Sequence, residues 1–300
     1  MTAEDRRWPA LPFEAWEPTR ATLHMWTQIV GKIRLALSAR VNHFWQTPLY
    51  VSARGLTTSL IPCESGSFEI LFDFIEHVLL IQKSDGTARR LALAPRSVAD
   101  FYAEIMALLR AMGIEVKIWP VPVELDDPIP FEQDRIHAAY DPGYVGRFWQ
   151  ILLSVDAIFK EFRGEFIGKC SPVHFFWGSF DLAVTRFSGR RASLDPKADL
   201  ITREAYSHEV SSVGWWPGDG STKYPAFFAY AAPEPPGYPG WAVRPKPAFY
   251  DQGASQFRLR YDDLRQSPSP RQDLLEFCRS TYEGAAVLGK WDRAELERKA

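Results

Sequence analysis

Cysteine is scarce in this chain and widely scattered. Cys63, Cys170 and Cys278 are the three, with no CxxC pair among 300 residues. An odd, dispersed set excludes a disulfide framework and a structural zinc site. Charge of one sign is lacking as well. With 35 basic and 37 acidic residues the net charge is −2, so there is no overall basic footprint for nucleic acid. The Gly189-Arg190-Arg191 cluster, with Lys197 beyond it, reads as a solvated loop. No apolar run approaches the ~18 residues of a membrane span, and the charged start Met1-Thr2-Ala3-Glu4-Asp5-Arg6-Arg7 lacks the apolar segment of a secretory leader. These absences predict a soluble, cytoplasmic protein with no membrane or nucleic-acid partner.

Several chemical signatures are missing too. No Gly-x-Gly-x-x-Gly follows a strand, and there is neither a Walker loop nor a Gly-x-Ser-x-Gly elbow, so the nucleotide-binding and α/β-hydrolase readings have no support. His-x-His, His-x3-His and carboxylate-rich loops are absent, and neither a metal nor a cofactor is expected.

What the chain has is aromatic side chains. They make up 14% of residues, with 11 Trp and 20 Phe. Such rings bury large areas and also line ligand sites. After a Pro- and Trp-containing arm over residues 1–16, Glu17-Pro18-Thr19 reads as a helix start. Leu23, Trp26, Val30, Ile33 and Leu37 then form an apolar stripe on a helix of about residues 18–38. Residues 43–93 read as a β-meander. Its first strand runs from His43 to Val51. In a later one Phe68, Ile70, Phe72 and Phe74 alternate with Glu69, Leu71 and Asp73. Asp85-Gly86 marks a hairpin turn. Ser97 is the expected N-cap of a helix carrying Phe101, Ile105 and Leu109, and Val116 to Ile118 reads as a short strand.

The second half repeats the theme. A long apolar helix carries Tyr144 to Phe162. Val173 to Phe187 reads as a long strand breaking near Gly178, and Tyr206 to Trp216 and Tyr224 to Tyr230 as further strands. Six prolines in 233–247 predict a surface loop, and Gln272 to Leu288 a final helix. The expectation is an α+β fold, mostly antiparallel sheet with about four main helices, in a single domain over 1–300. Two lobes, 13–119 and 135–300, would be joined by the Pro-rich connector 120–134. An echo between Trp26-Thr27-Gln28-Ile29 and Phe148-Trp149-Gln150-Ile151 suggests a duplicated helix–meander–helix unit.

Three motifs carry a resemblance: His174-Phe175-Phe176-Trp177-Gly178-Ser179-Phe180-Asp181, Tyr206-Ser207-His208-Glu209-Val210, and the opening run Trp8-Pro9 to Leu23-His24-Met25-Trp26. Together they resemble the family catalogued as domain of unknown function 5996, over nearly the whole chain. The resemblance implies one complete unit and no activity or catalytic residue.

The segment 168–216 is richest in chemistry. Alternation puts His174, Phe176, Phe180, Leu182 and Val184 on one face, read as core. Trp177, Ser179, Asp181 and Thr185 fall on the other, read as a site surface unless Gly178 breaks the strand. Catalytic candidates are His174, Asp181, His208 and Cys170. Cys170 lies beside Lys169 and four residues before His174, which a turn at Ser171-Pro172 would have to bring close. Ligand-contact candidates are Trp177, Ser179, Arg186, Tyr206, Glu209, Trp215 and Trp216. Adjacent His208 and Glu209 point to opposite faces of a strand and cannot share a metal. His24 and His43 read as structural and His77 as a solvated turn residue. The expected function is small-molecule binding, or cofactor-independent hydrolase-like acid–base chemistry. The rival is a protein-interaction module using exposed tryptophans and the loop 233–247.

Overall fold

The structure is a computed structural model that describes residues 7–193 and 197–298. Residues 1–6 of the expected arm lie outside them. Helix α1 (Phe13–Leu37) starts earlier than the sequence suggests. Pro12 sits at its N-cap and Pro18 lies inside the first turns. The predicted stripe is there, but Thr22, Thr27 and Gln28 are also fully buried. A helix covered on all sides is a central element, not a surface one. Trp26 stacks on Phe101 of α2 (Val98–Ala111) at 4.6 Å and 10°. Trp16 stacks on Phe148 of α3 (Pro142–Gly164) at 5.3 Å. Gly31 gives Trp177 its place, since a Cβ there would lie 2.2 Å from the indole.

The first sheet holds β1 (Tyr50–Ser52), β2 (Gly55–Thr57), β3 (Ile61–Cys63), β4 (Gly66–Asp73), β5 (Val78–Lys83) and β6 (Ala88–Ala92). Its order is β1-β2-β4-β5-β6, with β3 also paired to β4. Phe68, Ile70 and Phe72 are fully buried, as their period of two predicts. The Asp85-Gly86 turn and the Ser97 cap also form: Gly86 has φ +89, and Ser97 Oγ accepts the Asp100 N–H at 3.1 Å.

The second sheet holds β7 (His174–Phe176), β8 (Asp181–Arg191), β9 (His208–Trp216), β10 (Ala226–Ala232), β11 (Phe249–Asp251) and β12 (Gln256–Arg260). Its order is β11-β12-β10-β9-β8-β7, and every paired neighbour in both sheets is antiparallel. Four short or long helices complete the second half: α4 (Leu200–Ala205), α5 (Tyr261–Arg265), α6 (Pro270–Leu288) and α7 (Arg293–Leu296). Four of the seven helices among the described residues are long, and the α+β reading holds. One face of the second sheet packs on α3 and α6 through Leu182, Val184, Trp215 and Phe227, all fully buried. Phe148 joins the layers, touching Phe175, Phe180 and Trp215. Truncating it to alanine should cost about 3–5 kcal/mol.

Four expectations are corrected. No strand forms at Val116–Ile118; the segment has no ladder partner, and burial of Ile118 holds it instead. The strand read over His43–Val51 is interrupted by a 3-10 turn at Asn42–Phe44, where His43 takes φ +59 to place its Nδ1 on the Glu204 and Ala205 carbonyls. The duplication does not extend to strand order: the strand that leaves the meander is the third of six in the first sheet and the fifth in the second. His77 is not merely solvated, since its Nδ1 meets the Tyr140 hydroxyl at 2.9 Å. A single core runs through both halves, from Trp8 to Trp291.

Candidate functional site

Antiparallel register decides which residues share the open face of the second sheet. Phe176 pairs with Asp181, Thr185 with Ser212, and Gly214 with Phe228, and Phe228 in turn with Arg258. Directly paired residues project to the same side. Asp181, Ala183, Thr185, Phe187, Val210, Ser212, Trp216, Phe228 and Tyr230 therefore form one surface. It floors a cavity of about 510 Å³. Trp45, Glu124 and Tyr206 close over it from the first sheet's approach, the connector and the end of α4.

Asp181 is the electrostatic centre of this cavity. It is 6% exposed, and among the described residues it has no ion-pair partner. Ser179 donates its hydroxyl proton to Asp181 Oδ1. Burial raises the Asp181 pKa to about 7; the Ser179 bond opposes this and the nearby Glu124 charge adds to it. Burial also raises Glu124. Glu124 counts as an exposed residue, yet its carboxyl end lies against Gly178, where an added Cβ would meet Oε1 at 2.3 Å. Hydroxyls complete the polar wall: Tyr206 and Tyr230 share a hydrogen bond of 2.9 Å, as do Thr185 and Ser212.

Helix α1 sets this geometry from behind. Gln28 binds the connector backbone twice, donating to the Val123 carbonyl at 2.9 Å and accepting the Val123 N–H at 2.8 Å. One turn earlier, His24 Nε2 meets the Gly178 carbonyl at 2.8 Å. A carbonyl only accepts, so the proton is assigned to Nε2. Burial lowers the His24 pKa to about 4, keeping the ring neutral. One helix face thus holds both segments that bring Glu124 beside Asp181.

The other expected site residues fall in several places. Ser179, Tyr206 and Trp216 line the cavity with Asp181. Trp215 does not, because it precedes Trp216 on a strand and projects into the core, fully buried. Trp177 is corrected likewise: the chain turns at 177–180, and the indole N–H donates to the Thr47 carbonyl at 2.8 Å beside α1. The same turn reverses the expected faces only for the residues before it, so that Phe176, expected in the core, lines the cavity, while Asp181 and Thr185 keep the expected site face. His174 shares that face but is covered edge-on by Trp45 and Tyr50 and is fully buried. Burial, then the Arg34 and Arg163 charges, push its pKa down to about 3.

His208 and Asp181 do not converge. Asp181 starts β8, while His208 pairs with Arg191 at the far end; ten strand residues span about 30 Å. Glu209 pairs at the surface with Arg190 at 2.6 Å. Arg186 faces the core, with its guanidinium 3.5 Å from the centre of the Phe162 ring and 4.3 Å from that of Tyr282. Burial raises the Cys170 thiol to about 11, against an activated nucleophile. Sequence reading missed Glu124, Trp45, Phe187 and Tyr230. An acid among prolines was the sole trace of Glu124, and nothing local marks the others.

A second cavity of about 720 Å³ lies between the N-terminal arm and α3, lined by Trp8, Phe74 and Trp149 among others. It is larger but holds no acid, and its Arg265 is neutralised by Asp262. The perturbed carboxyls make the smaller cavity the stronger candidate. Among the described residues no group of three or more His, Cys, Asp or Glu is placed to hold a metal, and no helix is long and apolar enough to cross a membrane.

These features define an α+β protein of two antiparallel sheets, one of them bearing an acid-floored cavity on its open face. The sequence profile of a family of unknown function, DUF5996, matches residues 8–298, and the chain belongs to that family. No curated protein and no solved structure matches the chain.

Proposed function

We propose that the chain binds a small molecule in the cavity on the open face of the second sheet, with Asp181 available there as an acid or base. The observation that carries this reading is a buried carboxyl without an ionic partner among the described residues, opening onto a space walled by Trp45, Phe176, Trp216 and Phe228. Concave, mostly apolar space with a few placed polar groups is what a ligand site requires. A carboxyl whose pKa burial raises to about 7 is half protonated near neutral pH, which suits proton transfer without a cofactor and keeps hydrolase-like chemistry alongside plain binding.

The interaction-module reading has less behind it. Trp119 is 71% exposed, but Trp8, Trp16, Trp26, Trp149, Trp177, Trp215 and Trp291 are buried. The Pro-rich loop 233–247 is pinned by the fully buried Tyr238, so its rings face inward. Three free thiols fit residence in a reducing cytoplasm.

Native mass spectrometry and a thermal-shift screen of small amines, alcohols and acids test the proposal. A retained mass or a stabilising compound is expected, with the effect lost in Thr185→Phe, which fills the cavity. A chain that nothing stabilises, or that responds equally when the cavity is filled, would refute it.

A further inference from the structure

We propose that the ligand of this cavity is an organic cation, a protonated amine joined to an apolar body. The inference rests on the cavity being a binding site and names the chemistry it selects. Two carboxyl groups, Asp181 and Glu124, share the space, and neither has a cationic partner among the described residues. The nearby protein cations are committed elsewhere. Arg258 lines the cavity but holds Asp251 at 3.1 Å. Lys169 lies outside it, with Nζ over the faces of Trp45 and Phe187 at 5.4 and 5.2 Å and 2.6 Å from His43 Nε2.

An ammonium group carries three N–H donors and one positive charge. Asp181 and Glu124 offer acceptors and the missing countercharge, and the Tyr206 and Tyr230 hydroxyls stand close enough to feel Asp181. Around them Trp45, Phe176, Trp216 and Phe228 present rings, and ring faces attract cations as well as apolar bodies. A carboxylate ligand would bring a third acid into the same space. A neutral ligand would leave the two carboxyls facing one another uncompensated. A cation lets both ionise, where otherwise only a bound proton offsets them.

The inference sets a pH dependence. A cation prefers ionised Asp181, and burial and Glu124 delay that ionisation to about pH 7. Of the other titratable groups around the cavity, burial raises Glu124, Tyr206 and Tyr230 and lowers His43, and His24, behind Gly178, is held neutral down to about 4. Affinity for an amine should therefore rise about tenfold from pH 6 to pH 8.

Calorimetric titration of the full chain with tryptamine, tryptophol and indole-3-propionate tests this with one ring and three head groups. Tryptamine should bind at least tenfold tighter than tryptophol at pH 8, with indole-3-propionate weakest, and Asp181→Asn and Glu124→Gln should each remove most of that preference. Equal or tighter binding of tryptophol or the acid overturns the cation assignment and leaves the cavity as a site. No binding of any of the three at millimolar concentration overturns both readings.

Discussion

Strand β8 carries one buried charge on each face, and the two are treated in opposite ways. Arg186 projects into the core, donates to the Phe162 carbonyl, lies 3.8 Å from Glu165 and is stacked between rings. Asp181, five residues earlier, projects into the cavity with one serine hydroxyl as its side-chain partner. Burial disfavours both charged forms, lowering the arginine pKa and raising that of the aspartate. The arginine has a carbonyl, a nearby carboxylate and stacked rings around it, although its Nε lacks a hydrogen-bond partner; the aspartate has no ionic partner among the described residues. A fold selected for stability alone has no use for an uncompensated acid, and this difference between the two faces is what supports the proposal of a ligand site on the cavity side.

The comparison breaks most visibly at Arg186. Arg186→Ala should destabilise the chain by about 3–5 kcal/mol, because it opens a void among Phe162, Phe166 and Tyr282 and removes one of two donors to the Phe162 carbonyl, which keeps the Glu165 N–H at 3.2 Å. Chemical denaturation measures this, and a loss below about 1 kcal/mol would mean the stacked guanidinium contributes little. Asp181→Asn should act in the reverse direction. The folded-state pKa lies above the unfolded value, so wild type pays for ionising the buried acid as pH rises from about 4 through about 7. The asparagine form escapes that cost. It should be more stable by about 1–4 kcal/mol at pH 8, with the gain fading towards pH 4. A variant less stable than wild type at pH 8 would show that Asp181 is a structural group.

Parts of this were legible because they are local. The alternation of Phe68, Ile70 and Phe72, the Asp85-Gly86 turn and the Ser97 cap depend on neighbours a few residues away, and each formed. The odd positions Asp181 and Thr185 were also readable as a separate face. Parity failed where the chain turned. The hairpin at 177–180 brought Phe176 onto the cavity face and removed Trp177, and a residue-by-residue alternation cannot foresee a reversal. Composition alone makes Trp215 and Trp216 both candidate cavity walls, although neighbours on a strand must diverge. Glu124 was invisible for another reason. Its place is set by Gln28 and Gly178, which are remote in sequence and meet only through α1.

The smallest expected effect is at Cys170, a half-buried residue paired backbone to backbone with Arg186 of β8. Its nearness to Lys169 and His174 in sequence suggests an activated thiol, whereas burial outweighs the Arg186 and Arg163 charges and lifts its pKa to about 11. At pH 8 roughly one thiol in a thousand would be ionised, against about a quarter for a free cysteine. Alkylation of Cys170 by iodoacetamide, followed by peptide mass spectrometry, should run at least about a hundredfold slower than that of a small free thiol. Cys170→Ala should leave tryptamine binding unchanged and cost about 1 kcal/mol of stability. Rapid alkylation at pH 8 would restore Cys170 as a candidate nucleophile. It would also set a second candidate for chemistry beside the core face of β8, opposite the one proposed on the cavity face.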